Sequence, residues 1–213
     1  TSTFLYHIFM SDALSVIKAI YTQTKLQLIL PYQITFGFTS GFMNAYITAE
    51  IVSSYHGDGY VGLFSGITTM TAVLLAYPYS FISNTFTHGK YYTMLTGGLS
   101  FFLVGILAYL PKAVMAQWGF LFFYFVIYGF GRGAWENTNK AVIAEYFPKK
   151  KMREVAYASI YFTSGLSAAI GYCSYQYMTI EQLATLNTFV PLIAMGAYHF
   201  SYRYHQYHHR VEI

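Results

Sequence analysis

Charge is what this sequence lacks most. Only 9% of its 213 residues are Asp, Glu, Lys or Arg, whereas a soluble domain carries about 25%. A water-facing surface cannot be built from so few charges. Cysteine is nearly missing too. Cys173 stands alone, which excludes an internal disulfide framework and any cysteine-rich metal centre. Set in an apolar run, it reads as a small packing residue. There is no phosphate-cradling glycine loop, no metal-ligand pair at helical spacing and no nucleophile elbow, so no enzymatic activity is expected. No cofactor is expected either, with a bound lipid or pigment left open. The formal net charge of +4 invites thoughts of nucleic acid. The basic residues, however, form short clusters between apolar runs rather than one basic face, and no nucleic-acid partner is expected.

What fills the chain instead is apolar and aromatic. Hydrophobic residues make up 55%, with 23 Tyr and 19 Phe. Tyrosine joins an apolar ring to a polar tip and suits membrane interfaces and helix contacts. A membrane-crossing helix needs about 17–25 mostly apolar residues. Six runs qualify: Gln27–Thr48, Tyr60–Ile82, Tyr92–Leu110, Trp118–Ile143, Val155–Met178 and Gln182–Tyr202. Short polar or glycine-bearing connections separate them, such as His56-Gly57-Asp58-Gly59 and Thr87-His88-Gly89-Lys90. The runs are too long and continuous for barrel strands, and helices satisfy their own backbone in lipid. The expected fold class is all-α, a polytopic membrane bundle of about six transmembrane helices over residues 27–205. Residues 1–26 read as an amphipathic or linker helix, because Phe4, Leu5, Ile8, Phe9, Leu14, Ile17 and Ile20 recur near helical spacing. Residues 206–213 form a short polar tail.

The basic residues orient this bundle. Lys18, Lys25, Lys90, Lys149, Lys150, Lys151, Arg153, Arg203 and Arg210 fall on one side, and only Lys112 on the other, near Glu50, Asp58 and Glu181. By the positive-inside rule, both termini are expected on the cytoplasmic side, or its stromal or matrix equivalent. Membrane lipids are the expected surroundings, and other membrane subunits or a second half-bundle the expected partners.

Candidate functional residues concentrate in Tyr128-Gly129-Phe130-Gly131-Arg132-Gly133-Ala134-Trp135-Glu136-Asn137-Thr138-Asn139-Lys140. At α-helical spacing Arg132, Glu136 and Lys140 form one stripe of alternating charge, with Asn137 beside it. Arg132 lies near the middle of its run, where a charge facing lipid costs about 2.5–3.5 kcal/mol, so the stripe should face the interior, a cavity or a partner. It either locks neighbouring helices, or lines a site for an anionic or polar solute or forms a proton-linked switch. Gln33 and Asn44, eleven residues apart, share a face of the first run and either make isolated interhelical hydrogen bonds, the reading favoured here, or with Glu50 complete the candidate cavity set. Gly37 with Gly41, Gly62 with Gly66, and Ser167 with Gly171 are four apart, which permits close helix approach. Gly129, Gly131 and Gly133 do the same on the fourth run. The C-terminal histidines His199, His205, His208 and His209, interleaved with tyrosines, read as an interfacial belt.

These residues also carry a resemblance. Leu30-Pro31 followed by Gly37 and a helix to Ala49-Glu50, the stretch from Gly62 through Tyr77-Pro78, and Trp135-Glu136-Asn137-Thr138-Asn139-Lys140-Ala141 leading to Tyr146-Phe147 resemble the seventh, eighth and tenth helices of the Unc-ninety-three-like branch of the major facilitator superfamily. The resemblance covers roughly residues 11–205 and implies the C-terminal six-helix half of that fold. The sequence departs from the family at Arg132, where many members are acidic, and in Ser83–Lys90, which keeps traces of a glycine-acid-basic motif. A whole member has about twelve helices. The resemblance implies two roles: an accessory, scaffold or regulatory subunit of a larger membrane complex, which the sequence favours, or a half-unit of a solute transporter.

Overall fold

The computed structural model describes residues 14–211, the side chains of 208–211 excepted. The first half of the expected N-terminal segment, residues 1–13, thus lies outside the described residues. Its last part, residues 14–22, is helical and is separated from the next helix by Gln23.

Six long rods follow. The first, α1, spans Thr24–Phe42 and continues through a π-helical stretch, Met43–Ser53, and a last turn, Ser54–His56. α2 spans Val61–Thr85, and α3 spans Gly89–Leu107. α4 spans Trp118–Gly133 and runs on through a π-helical stretch, Ala134–Asn139, into an α-helical end, Lys140–Tyr146. α5 spans Lys150–Ser174, and α6 spans Ile180–Val211. Among the described residues there is no strand.

Local chemistry sets the breaks. Gly57 between α1 and α2 has φ of 95°, which only glycine adopts without strain. Pro148 disfavours a helical Phe147, and Phe147 leaves the helix with φ −125° and ψ 74°. Pro31, Pro78 and Pro191 sit inside helices, where each removes one backbone donor.

Packing follows a repeated pattern. α1 packs mainly on α5 and α6, α4 packs mainly on α2 and α3, and α3 packs on α6. Exchanging the first three rods with the last three maps α1–α5 onto α4–α2 and α1–α6 onto α4–α3, and leaves α3–α6 as it is. Small residues draw the matching pairs together. A Cβ on Gly37 would collide with the Ser164 carbonyl oxygen and the Ser167 hydroxyl of α5, and one on Gly41 would meet the Ala168 oxygen at 2.9 Å. On α4, a Cβ on Gly129 would meet Thr71 Cβ at 2.6 Å and the Thr68 oxygen at 3.0 Å, and one on Gly133 would meet Ala72 Cα at 3.3 Å. Each π-helical stretch begins just beyond the second glycine of its seam. Gly131 fits against the Phe101 ring of α3. Gly62 and Gly66 differ, with nothing within 4 Å of an added Cβ. They lie on the outward face of α2, because spacing defines a face but not which face is covered.

Among the described residues two rods are long and apolar enough to cross a membrane, over Asp58–Thr85 and Ile180–Tyr207. Large apolar side chains point outward, including Met70, Val73, Leu74 and Phe81 on α2, Phe122 and Phe123 on α4, and Phe189 and Ile193 on α6. Cys173 is exposed rather than packed.

Candidate functional site

The junction of the α-helical part of α4 with its π-helical stretch holds the centre of the candidate site. Arg132 Nε donates to Glu136 Oε1 at 2.8 Å, and Arg132 Nη1 donates to Thr69 Oγ1 of α2 at 3.3 Å. Both charged side chains are about one-third exposed, 33% and 35%, so the pair is open on one side. The expected three-residue ladder stops there. Lys140 has no ion-pair partner among the described residues. A π-helical turn holds more residues than an α-helical one, so the wider turn carries Lys140 off the Arg132–Glu136 line. Asn137 turns back, its amide donating to the Gly133 carbonyl at 2.9 Å.

Beside the pair lies a cavity of about 290 Å³. Phe36, Ser40, Met43 and Asn44 of α1 form one wall, Ser65 and Thr68 of α2 a second, and Phe125, Tyr128, Arg132 and Glu136 of α4 the third. Hydroxyls, an amide and an ion pair therefore face one space enclosed by aromatic rings.

Gln33 is elsewhere. Its Oε1 accepts from Trp135 Nε1 at 2.7 Å and from Asn139 Nδ2 at 3.1 Å, while its Nε2 donates to Asn139 Oδ1 at 3.1 Å. Gln33 and Asn139 are completely buried, and Trp135 nearly so. Phe36 stacks on Trp135, with ring centres 3.9 Å apart and planes within 8°, and divides this closed cluster from the cavity. The expectation that Gln33 and Asn44 line one cavity is therefore corrected. They lie three turns apart along α1, and α4 closes over Gln33 but parts from Asn44. Asn139 was not among the expected site residues. Its signal was available in principle, because Trp135 and Asn139 are polar-tipped residues four apart in an apolar run.

Glu50 also leaves the cavity set. It sits at the end of α1, where it accepts from the Tyr175 hydroxyl and from Lys112 Nζ at 3.2 Å. The Tyr175 hydrogen bond first, and Lys112 second, hold the Glu50 carboxyl below its ordinary value. Lys112 is held above its own, chiefly by its bond to Glu50, and its ammonium lies 5.5 Å from the Tyr46 ring centre.

At the opposite end of α3 is a larger cavity of about 430 Å³. Lys90 pairs there with Glu145, and His205 Nε2 lies 3.7 Å from the same carboxylate. His88 bonds the Tyr202 hydroxyl. The interfacial-belt reading of the C-terminal histidines therefore fails for His205, which is 8% exposed. Residues 88–90, 145 and 202–206 converge only through the fold, and no local spacing marks them. His208 and His209 lie outside the described side chains.

Comparison with protein-family models, curated proteins and solved structures finds no match for this chain. Among the described residues no cluster of three or more His, Cys, Asp or Glu is placed to hold a metal.

Proposed function

We propose that the chain is a multi-pass membrane protein of six spans and the C-terminal half-bundle of an Unc-ninety-three-like, major-facilitator-type fold. In this reading it works as the half-unit of a two-bundle assembly whose solute path runs along the α1–α2–α4 cavity. One observation carries the reading: the Arg132–Glu136 pair is open at mid-rod in a bundle whose outer faces are apolar. Lipid is a poor neighbour for a charge at that depth, at about 2.5–3.5 kcal/mol. Water in a path, or a second bundle, covers it at lower cost. The repeated arrangement of two three-rod units supports the same reading, because transporter halves are built from such repeats around a midplane site. Arg132 then attracts the anionic part of a solute, Glu136 holds the guanidinium in place, and Asn44, Ser40 and Thr68 supply neutral hydrogen bonds.

The accessory or regulatory subunit is the second reading. The Gln33–Trp135–Asn139 cluster favours it, since a buried network in which each side-chain polar atom has a partner holds α1 and α4 together rather than letting them rock.

Cysteine accessibility tests the proposal. In a Cys173→Ser background, Glu136→Cys and Asn44→Cys should react with a membrane-impermeant thiol reagent in sealed vesicles, while Leu74→Cys and Val73→Cys should not. Labelling of the α2 positions would remove the spanning assignment. Protection of Glu136→Cys and Asn44→Cys in the assembled membrane, with labelling once detergent separates the subunits, would transfer the conclusion to the accessory reading.

A further inference from the structure

We propose that the groove between residues 14–22 and the start of α5 binds one acidic phospholipid. The proposal rests on the membrane reading above. The groove has a volume of about 350 Å³, with Lys18, Lys149 and Lys151 at its rim and Ala19, Met152 and Val155 among its floor residues. The three lysines are exposed, and none has an ion-pair partner among the described residues. The floor is fixed: Ala19 belongs to the hydrophobic core, and Met152 and Val155 pack against it.

The two halves of the site ask for different chemistry. Three ammonium groups around one slot repel each other until an anion lies between them, and the first turn of α5 adds the positive end of its dipole. No side chain caps that turn. The slot below is apolar, which a free anion leaves unused and an acyl chain fills. An amphiphile with an anionic head and an apolar tail satisfies both, and an acidic phospholipid has this form. Basic pockets between membrane helices bind such headgroups. A simple topology signal needs the charges but no slot with a fixed floor.

The full chain, purified in neutral detergent, is titrated with phosphatidylserine and separately with phosphatidylcholine, and bound lipids are counted by native mass spectrometry. One phosphatidylserine per chain is expected, with clear preference over phosphatidylcholine. The triple variant K18Q/K149Q/K151Q should bind phosphatidylserine at least about tenfold more weakly, and K112Q, at the other end of the bundle, should bind as wild type. Millimolar inorganic phosphate should not displace the lipid. Unchanged binding by a triple variant that elutes and melts as wild type overturns the site, as does equal binding of phosphatidylcholine. Displacement by phosphate would reduce it to a plain anion site and overturn the lipid assignment. If the triple variant does not fold, the single variants K18Q and K151Q carry the test, each expected to weaken binding about fivefold. Alkaline carbonate extraction keeps the two proposals apart: release of the wild-type chain defeats the membrane reading, whereas a retained chain without lipid preference defeats only the site.

Discussion

The two sides of α4 around the start of its π-helical stretch handle polarity in opposite ways. On the closed side, Gln33, Trp135 and Asn139 exchange three hydrogen bonds and no solvent reaches Gln33 or Asn139. On the other, Arg132 and Glu136 bond each other and remain one-third exposed beside a cavity. The closed side has neutral amides, each of whose polar atoms finds a partner within the bundle. The open side has full charges, whose burial costs more than one ion pair returns. The comparison separates what holds the bundle together from what is left available to a ligand or a partner, although the residues involved are adjacent in sequence.

The glycine seams that bring the rods close enough for this arrangement should show the largest effect. Gly37→Val places its side chain against a backbone carbonyl of α5, and Gly129→Val places one against Thr68 and Thr71 of α2. Backbone cannot yield as a side-chain tip can, so each substitution should cost about 3 kcal/mol and lower the yield of folded protein in detergent. Gly62→Ala and Gly66→Ala point into open space and should stay within about 0.5 kcal/mol. Equal losses at all four positions, measured by denaturant unfolding, would break the assignment of inward and outward faces.

The closed cluster comes next. Gln33→Leu removes the acceptor of Trp135 Nε1 and both partners of the Asn139 amide. Buried groups left unpaired cost about 1–3 kcal/mol, and Gln33→Leu should destabilise within that range. Arg132→Ala should cost under about 1 kcal/mol, because a partly exposed ion pair contributes little. The inequality between the two sharpens the comparison. Thermal melts that rank Arg132→Ala as the more damaging would make the open pair a structural clamp rather than a site.

The rods themselves were legible in the sequence. Apolar runs bounded by Gly57, Thr87-His88-Gly89 and Pro148 mark where helices stop, and the expected fourth run, Trp118–Ile143, ends three residues short of the helix end at Tyr146. The π-helical turn was not legible. Whether a turn closes at α or π width depends on the neighbour it must meet, here Gln33, which is 102 residues from Trp135. That width decided which of Arg132, Glu136 and Lys140 stay together. The same nonlocality hid the Lys90–Glu145–His205 convergence and left Gly62 and Gly66 without partners. Sequence periodicity gives each helix its faces, and pairing those faces needs the fold.

The smallest expected effect is at the far end of the bundle, and it bears on whether charge can stabilise this molecule at all. The Glu50 carboxyl is held below its ordinary 4.5 by the Tyr175 hydroxyl and Lys112. A lowered folded-state value means that the unfolded chain binds the proton more readily. The contribution of Glu50 is therefore complete above about pH 4.5 and is lost as pH falls through the depressed value. Lys112 runs the other way. Its folded-state value lies above the ordinary 10.5, so its contribution is complete below that pH and is lost above it. Between those limits the latch is intact. Side chains this exposed, 39% for Glu50 and 47% for Lys112, are screened by solvent, so Glu50→Gln should cost less than about 1 kcal/mol at neutral pH. The difference in Tm between Glu50→Gln and wild type should be flat from pH 6 to pH 9 and shrink on acidification below pH 4.5. A difference that grew with acid would mean that the carboxyl is not the group holding Tyr175 and Lys112 to the end of α1.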